Sequence, residues 1–539
     1  FYVTSVDNSD YESSASSLVK LTPIYLGPVW YVDEDNGRTS GEGSPDDPMR
    51  DIQDGIDAAA AGDTVLVLPG TYAGNRSDNR ELAFVNESNG SAKNIVLKSR
   101  DGAATTFIDS RNYRAFTIDD GTDTTLHIIG FTITSTTGGE NDGWGAFVFI
   151  AGQYYWDNNT QQNVVTYSFA TFKNCIFTIF DSGSLAGDDL EDVAVQVNMG
   201  GAVFDNCEFT NITVDYGNED NWSNYGGAVR VGMGQTNAIS PDFGQVIFNR
   251  SKLTNITVKR TSTGNHEGYL HGAAINIGPS IYNGVWLVNT IVADNLLSYT
   301  YDDNNSYSPK GAGINMNGGE LQLINSTVVN NQISTAASSA VSGGSAIWVE
   351  DYDNDGEAPH LTIFNSIIHG NSIVTNAGGA SSTTTNINQI FMQDWGDGVE
   401  AIASYSIIGG GDDLGGDEIL NLDPEFLDST YALHPRSPAI GAGAVQGEDA
   451  EGNTISAPTV DIAGNIRPNP ADDDEYEDRE AVPDLGAWES ELAVTPYPDA
   501  PTNIFTIEDH QSVQLFWDAS DAEDVVEYKI YFSADSITF

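Results

Sequence analysis

One six-residue pattern recurs seven times through the middle of this 539-residue chain. It reads FKNCIF from Phe172, FDNCEF from Phe204, FNRSKL from Phe248, LVNTIV from Leu287, LINSTV from Leu323, IFNSII from Ile363 and ASYSII from Ala403. Successive copies start 32, 44, 39, 36, 40 and 40 residues apart. The third position is Asn174, Asn206, Arg250, Asn289, Asn325, Asn365 and Tyr405. The fourth is always small, from Cys175 and Cys207 to Ser406, and the sixth always apolar. A second strand-like run precedes each copy: AFVF from Ala146, AVQV from Ala194, AVRV from Ala228, AINI from Ala274, GINM from Gly313, AIWV from Ala346 and, more weakly, QIFM from Gln389. A third follows most of them, as ITV at Ile212 and Ile256, LLSY at Leu296, QIS at Gln332 and SIV at Ser372.

A period of this size marks a stacked repeat. Three short strands per turn, with one residue type returning to one place, predict an all-β chain wound as a right-handed parallel β-helix. Coils then stack about 4.8 Å apart. Asparagine amides should pair along one turn and aliphatic side chains should fill the bore. A tandem of β-sandwiches leaves the asparagine beside a small residue unexplained. Coil length is free to vary, because extra residues bulge as loops. Cys175 and Cys207 share one ladder position, which brings them about 5 Å apart and within disulfide range. In-register side chains point the same way and strain a bridge, so stacked thiols are favoured.

The ends of such a solenoid need covers. Ile52, Ile56 and the alanines near Ala59 fall on one helical face, and Gly62 ends the run. A helix near 49–62 is therefore expected to plug the amino end, with TVLVLPG as the first core strand. The β-helix is expected over 24–420. Residues 421–492 are loop-rich and carry the apolar anchors Phe426, Leu433, Ile440 and Trp488. They are expected to form the carboxyl-terminal cap.

Two flanks differ from the repeat. FYVTSVD and SLVKLTP within 1–23 read as two strands, as do SVQLFW and VEYKIYFS within 498–539. They resemble the last strands and the first half of fibronectin type III domains, with Trp517 at a core position. Neither closes a sandwich of about 100 residues. The expectation is a segment of a longer modular chain; the alternative is strand complementation between filament subunits.

The stretch from YVDEDNG to PGTY, the coils, and the exit DPEF…YALHPRSPAIGAG…DIAGNIRP…DLGAWE resemble secreted bacterial β-helix repeat surface proteins, including those with choice-of-anchor domains. The GGAV and GAGI segments are also similar to chlamydial polymorphic outer-membrane proteins. The resemblance implies export and display at the cell surface. It implies no single activity, since relatives include polysaccharide lyases and non-catalytic adhesins.

With 21 basic and 78 acidic residues the formal charge is −57. That disfavours nucleic acid and anionic membranes as partners. No apolar run approaches the roughly 18 residues of a membrane helix. The charge suits a hydrated exterior that draws cations.

Candidates for chemistry are few. A lyase needs a basic group beside something that neutralises a uronate. Lys259, Arg260, His266 and His271 share one loop region, Arg230 points outward in AVRV, and Lys310 follows two coils on. No catalytic motif joins them. Asp351, Asp353 and Asp355, followed by Gly356, alternate like the first half of a Ca²⁺ loop. The twelfth position is Thr362 rather than Glu, and an acidic hairpin is the alternative. Ca²⁺ is the candidate ion. Trp222, Tyr225, Tyr269, Tyr299, Tyr301 and Tyr307 lie in long loops among Asn and Asp. Aromatic faces beside amides suit sugar rings. The sequence thus predicts a rigid, secreted structural or adhesive module that offers loops to glycans or neighbouring subunits. Alternatives are a polysaccharide lyase or glycoside hydrolase, and a filament subunit.

Overall fold

The computed structural model describes residues 25–135, 147–184, 194–215, 227–232, 244–260, 270–299, 309–335, 343–351, 358–468, 482–492 and 502–518, apart from isolated positions and short loop segments within those ranges. Three long sheets, of eleven, fifteen and nine strands, run along one axis, and every pairing within them is parallel except that of Ser372–Thr375 with Ser382–Thr385. The central coils each contribute to all three sheets, and the coils of Ile291, Thr327 and Ile367 place two strands in the fifteen-stranded one. The chain is a right-handed parallel β-helix, as the repeat predicts.

Alternation within each strand decides what fills the bore. In the eleven-stranded sheet the inward column runs Val65, Leu97, Ile128, Phe172, Phe204, Phe248, Leu287, Leu323, Ile363 and Ala403. All are buried. The phenylalanines stack coil on coil: Phe172 lies 5.2 Å from Phe204, and Phe204 lies 5.1 Å from Phe248. Phe177 and Phe209 stack at 4.4 Å in the facing column.

The recurring asparagine has a backbone cause. All seven third-position residues have positive φ, from 47° at Asn325 to 55° at Asn206. Asparagine tolerates this left-handed turn better than most residues. The small fourth residue ties the corner to its neighbour. Ser326 N–H donates to Ser366 Oγ at 3.0 Å, and Ser366 N–H to Ser406 Oγ at 3.0 Å. The longest amide ladder, however, lies elsewhere than predicted. Asn295, Asn331, Asn371 and Gln389 form a buried chain at the next corner, each Nδ2 donating to the following side-chain oxygen at 2.7–2.8 Å.

Cys175 and Cys207 are free, buried and neighbouring. Burial and the adjacent Cys175 push the Cys207 thiol well above the ordinary range.

The amino end is plugged by a helix shorter than expected, Ile52–Ala58. Ile52 and Ile56 enter the core, and Lys93 Nζ donates to the carbonyls of Ile56 and Asp57 at the helix exit. Gly55 is required here: a Cβ would meet Val32 Cγ2 at 2.7 Å.

At the other end the structure departs from expectation. The bore is closed within 409–420, where Leu414 joins the core and Ile419–Leu420 pairs with the last coil. The described part of 421–492 folds back along the flank. Its Tyr431, Leu433, Ala439, Ile440, Ile462, Leu485 and Ala487 cover the outward side chains Ile291, Ala293, Val329, Ile367 and Ile407 of the fifteen-stranded sheet. In the preceding coils that outward column reads Thr132, Ile176, Glu208 and Lys252. The layer docks where the column loses its charges and continues as Ile291, Thr327, Ile367 and Ile407. It also takes up the turn asparagines: Asn289, Asn325 and Asn365 donate to the carbonyls of Val460, Asp484 and Ala444. Buried Arg467 knits the layer together by donating to the carbonyls of Asp484 and Gly486.

Residues 1–24 lie outside the described part. Thr502–Asp509 and Ser512–Asp518 form an antiparallel hairpin in which Phe505 and Phe516 stack at 5.1 Å.

Two glycine substitutions isolate the docking of this layer. Asn365→Gly and Asn174→Gly both keep the left-handed turn, at φ 50° and 53°. Only Asn365 exchanges side-chain bonds with Ala444 N and O, at 2.9 and 2.7 Å. Asn365→Gly is expected to destabilise by about 1–3 kcal/mol more than Asn174→Gly, measured as paired urea unfolding curves.

Candidate functional site

The nine-stranded sheet carries an unusual outward face. From Val148 onward its inward residues are aliphatic: Val148, Val195, Val229, Ile275, Ile314, Ile347 and Ile390 in one column, all buried. The residue after each points away from the bore. That outward column reads Phe149, Gln196, Arg230, Asn276, Asn315, Trp348 and Phe391. An outward column on a β-helix is ordinarily wet. Here Gln196, Arg230, Asn276, Asn315 and Trp348 are all buried, Arg230 at 1 % exposure and Trp348 at 4 %.

Buried polar atoms normally have partners. Part of the column does. Asn315 Nδ2 donates to Asn276 Oδ1 at 2.7 Å and to Asn317 Oδ1 at 3.2 Å. Among the described residues, Asn276 Nδ2, Asn315 Oδ1, Trp348 Nε1 and the neighbouring Ser345 Oγ have none. Asn198, two residues beyond Gln196 on the same face and 2 % exposed, likewise has no partner among them for either amide atom. Each such group costs about 1–3 kcal/mol when nothing answers it.

Charge enters from the strand edge. Lys310 Nζ bonds Glu350, and the same ammonium lies 5.1 Å from the Trp348 ring centroid. Trp348 stacks on Phe391 at 4.3 Å. Lys310 forms a parallel bridge with His271 of the preceding coil. Burial first, and Lys310 second, hold the His271 imidazole well below its ordinary pKa. The face thus assembles amides, an indole, a guanidinium and one ion pair along six coils, from Gln196 to Phe391. At about 4.8 Å per coil that is roughly 24 Å. The amides lie beneath the surface, and the ring faces that reach solvent are the half-buried Phe149 and Phe391 at the ends of the column.

The residues singled out from sequence fare unevenly. Arg230 does point outward, yet it is buried rather than displayed. Tyr299 is corrected: it ends the strand Leu296–Tyr299 and is 7 % exposed in the hydrophobic core, because the third strand turns its ring inward. Trp222, Tyr225, Tyr269, Tyr301 and Tyr307 lie outside the described residues, as do His266, Asp353 and Asp355. Asp351 is buried, and its N–H donates to Gln393 O at 3.3 Å. Among the described residues no group of three His, Cys, Asp or Glu is placed to hold a metal. Among the described residues, too, no helix is long and apolar enough to cross a membrane. Asn198, Asn276, Asn315, Trp348 and Glu350 were not legible as a site from motifs. The available signal was a polar or aromatic residue between two aliphatics in AVQV, AVRV, AINI, GINM and AIWV.

No protein-family model matches the chain, and no curated protein does. Among solved structures, a rhamnogalacturonan lyase is similar at 14 % identity with a TM-score of 0.36, covering 75 % of this chain and 91 % of that one. A structure described as XylC in complex with xylose is similar at 10 % identity with a TM-score of 0.28, covering 85 % of this chain and 98 % of that one. Likenesses this distant carry nothing about activity.

The depressed His271 pKa fixes the sign of a pH effect. The folded form keeps the imidazole neutral, so its contribution is present above about pH 6.5, the unfolded value, and is lost as pH falls below it. NMR titration of the ring nitrogens is expected to show His271 protonating at lower pH than an exposed histidine, and His271→Gln to flatten the loss of stability below about pH 6.5. A His271 that protonates in the folded protein as readily as an exposed histidine contradicts its burial.

Proposed function

We propose that this chain is a rigid, exported β-helical module that binds glycans on the side of its nine-stranded sheet. One observation carries the reading: amide and indole groups at Asn198, Asn276, Asn315 and Trp348 hold unanswered hydrogen-bonding capacity on a single face, just beneath the surface. They act as the support of the binding surface, and the half-buried rings of Phe149 and Phe391 at the two ends of the column are the faces a sugar can reach. Cell-surface display belongs to the same proposal. It is supported by the strongly acidic composition and by the sequence resemblance to surface proteins.

A second reading, cleavage of the bound glycan, is favoured by the Lys310–Glu350 pair beside Trp348. An ammonium beside a carboxylate supplies one proton donor and one acceptor, the minimum that proton transfer at a sugar ring requires. Incubating the protein with neutral and acidic polysaccharides, and following reducing ends and unsaturated products, separates cleavage from binding alone.

The binding reading has its own test. Asn198→Leu removes two unanswered polar atoms and conserves bulk. It is expected to raise the melting temperature and to weaken oligosaccharide binding about tenfold, read by calorimetry over an oligosaccharide panel. Unchanged affinity in Asn198→Leu, or no oligosaccharide bound by the native protein, sinks the proposal.

A further inference from the structure

The flanking layer ends abruptly. It covers the fifteen-stranded sheet from Ile291 onward and stops above Lys252. At that step lies a cleft of about 400 Å³, within the range of small-molecule sites. Its floor is the uncovered corner of three coils: Asn174, Asn206 and Arg250 at the turn, with Ile176, Glu208 and Lys252 beside them. Its wall is the layer edge, Ile462, Ala463 and Trp488.

The polar groups in this cleft differ from those the layer has taken up. Asn289, Asn325 and Asn365 bond layer carbonyls, whereas Asn174 and Asn206 are exposed and bonded to each other, Asn206 Nδ2 to Asn174 Oδ1 at 2.7 Å. Arg250 uses Nη2 on Asp205 at 2.7 Å and turns into the cleft. The Lys252 ammonium meets no carboxylate within ion-pair distance among the described residues, although Glu208 is its neighbour on the adjoining strand, and it lies 6.0 Å from the Trp488 ring centroid. In a chain with 78 acids and 21 bases, a lysine without an acid is conspicuous. Trp488 is fixed in place, since its Nε1 donates to Thr430 O at 2.8 Å.

The geometry points to a second ligand site, separate from the nine-stranded face, that takes one carboxylated sugar residue at the layer edge. Lys252 and Arg250 face the carboxylate, the Trp488 ring offers a flat apolar surface to the pyranose, and the Asn174–Asn206 amides reach hydroxyls. The overall negative charge does not forbid an anion here. Charges beyond about 8 Å are screened at physiological salt, while Lys252 and Arg250 act at contact. Glu208, on the cleft floor next to Lys252, disfavours a ligand carrying more than one negative charge.

Calorimetric titration of the full chain with glucuronate, glucose and acetate tests this. Glucuronate is expected to bind, with glucose and acetate each about tenfold weaker or worse. Lys252→Met is expected to weaken glucuronate about tenfold at an unchanged melting temperature; Lys252→Gln, of similar length, guards against a folding defect. Neither variant should alter oligosaccharide binding at the nine-stranded face. Equal binding of glucose removes the role of the cations, and equal binding of acetate removes the sugar. Absence of glucuronate binding overturns the proposal. So does glucuronate binding that survives both Lys252 variants but falls in Asn198→Leu, because it then belongs to the other face.

Discussion

Parallel hydrogen bonding between successive coils is the interaction on which everything else in this molecule rests. Each strand pairs with the same strand one coil earlier and one coil later, so backbone groups are satisfied between turns rather than within them. Register then leaves little freedom, because a residue must sit above its counterpart. The Phe172, Phe204 and Phe248 stack follows from that spacing rather than from any separate preference. The corners follow too. A chain that turns sharply between short strands leaves N–H groups unpaired at each bend, and Ser326, Ser366 and Ser406 answer them from the neighbouring coil.

Because register is fixed, chemistry can change along a column without disturbing the fold. The outward column of the fifteen-stranded sheet is charged at Glu208 and Lys252 and uncharged from Ile291 through Thr327 and Ile367 to Ile407. The change creates an apolar flank that the chain's own later residues cover. It also creates an edge, and an edge between a covered and an uncovered surface is where a cleft forms. The solenoid therefore supplies two kinds of surface: one that folds against itself, and one left for other contacts.

The architecture was legible because its cause is local. The left-handed turn selects asparagine at Asn174 through Asn365, and bore columns select one apolar residue per coil, so both leave a periodic trace. What was less legible depends on partners distant in sequence. Asn289 and Asn325 look like their uncovered counterparts until Val460 and Asp484 are seen beside them, 171 and 159 residues away. The flank-lying course of the segment beyond residue 421 escaped for the same reason: its anchors Leu433 and Ile440 are apolar whether they seal an end or a side. Tyr299 read as a loop aromatic because it borders an Asn- and Asp-rich stretch, but strand alternation turns it inward.

The polar face of the nine-stranded sheet was hidden by its own regularity. Asn276 between Ile275 and Ile277 looks like the wet side of a half-buried strand, and for most strands it would be. Burial changes its meaning. A wet asparagine on a solenoid flank costs nothing, whereas Asn198, Asn276 and Asn315 each carry an unanswered polar atom away from water. A coil built only for rigidity has cheaper choices at those positions, since valine or threonine stacks equally well in a parallel ladder. Departures from local consistency concentrate where a protein does something besides fold. Others sit elsewhere, as at His127 and Asn289, but one side of the nine-stranded sheet carries a run of them from Asn198 to Trp348. The rest of the described solenoid supplies what such a surface needs, a straight, repetitive support that holds side chains from separate coils at a fixed spacing.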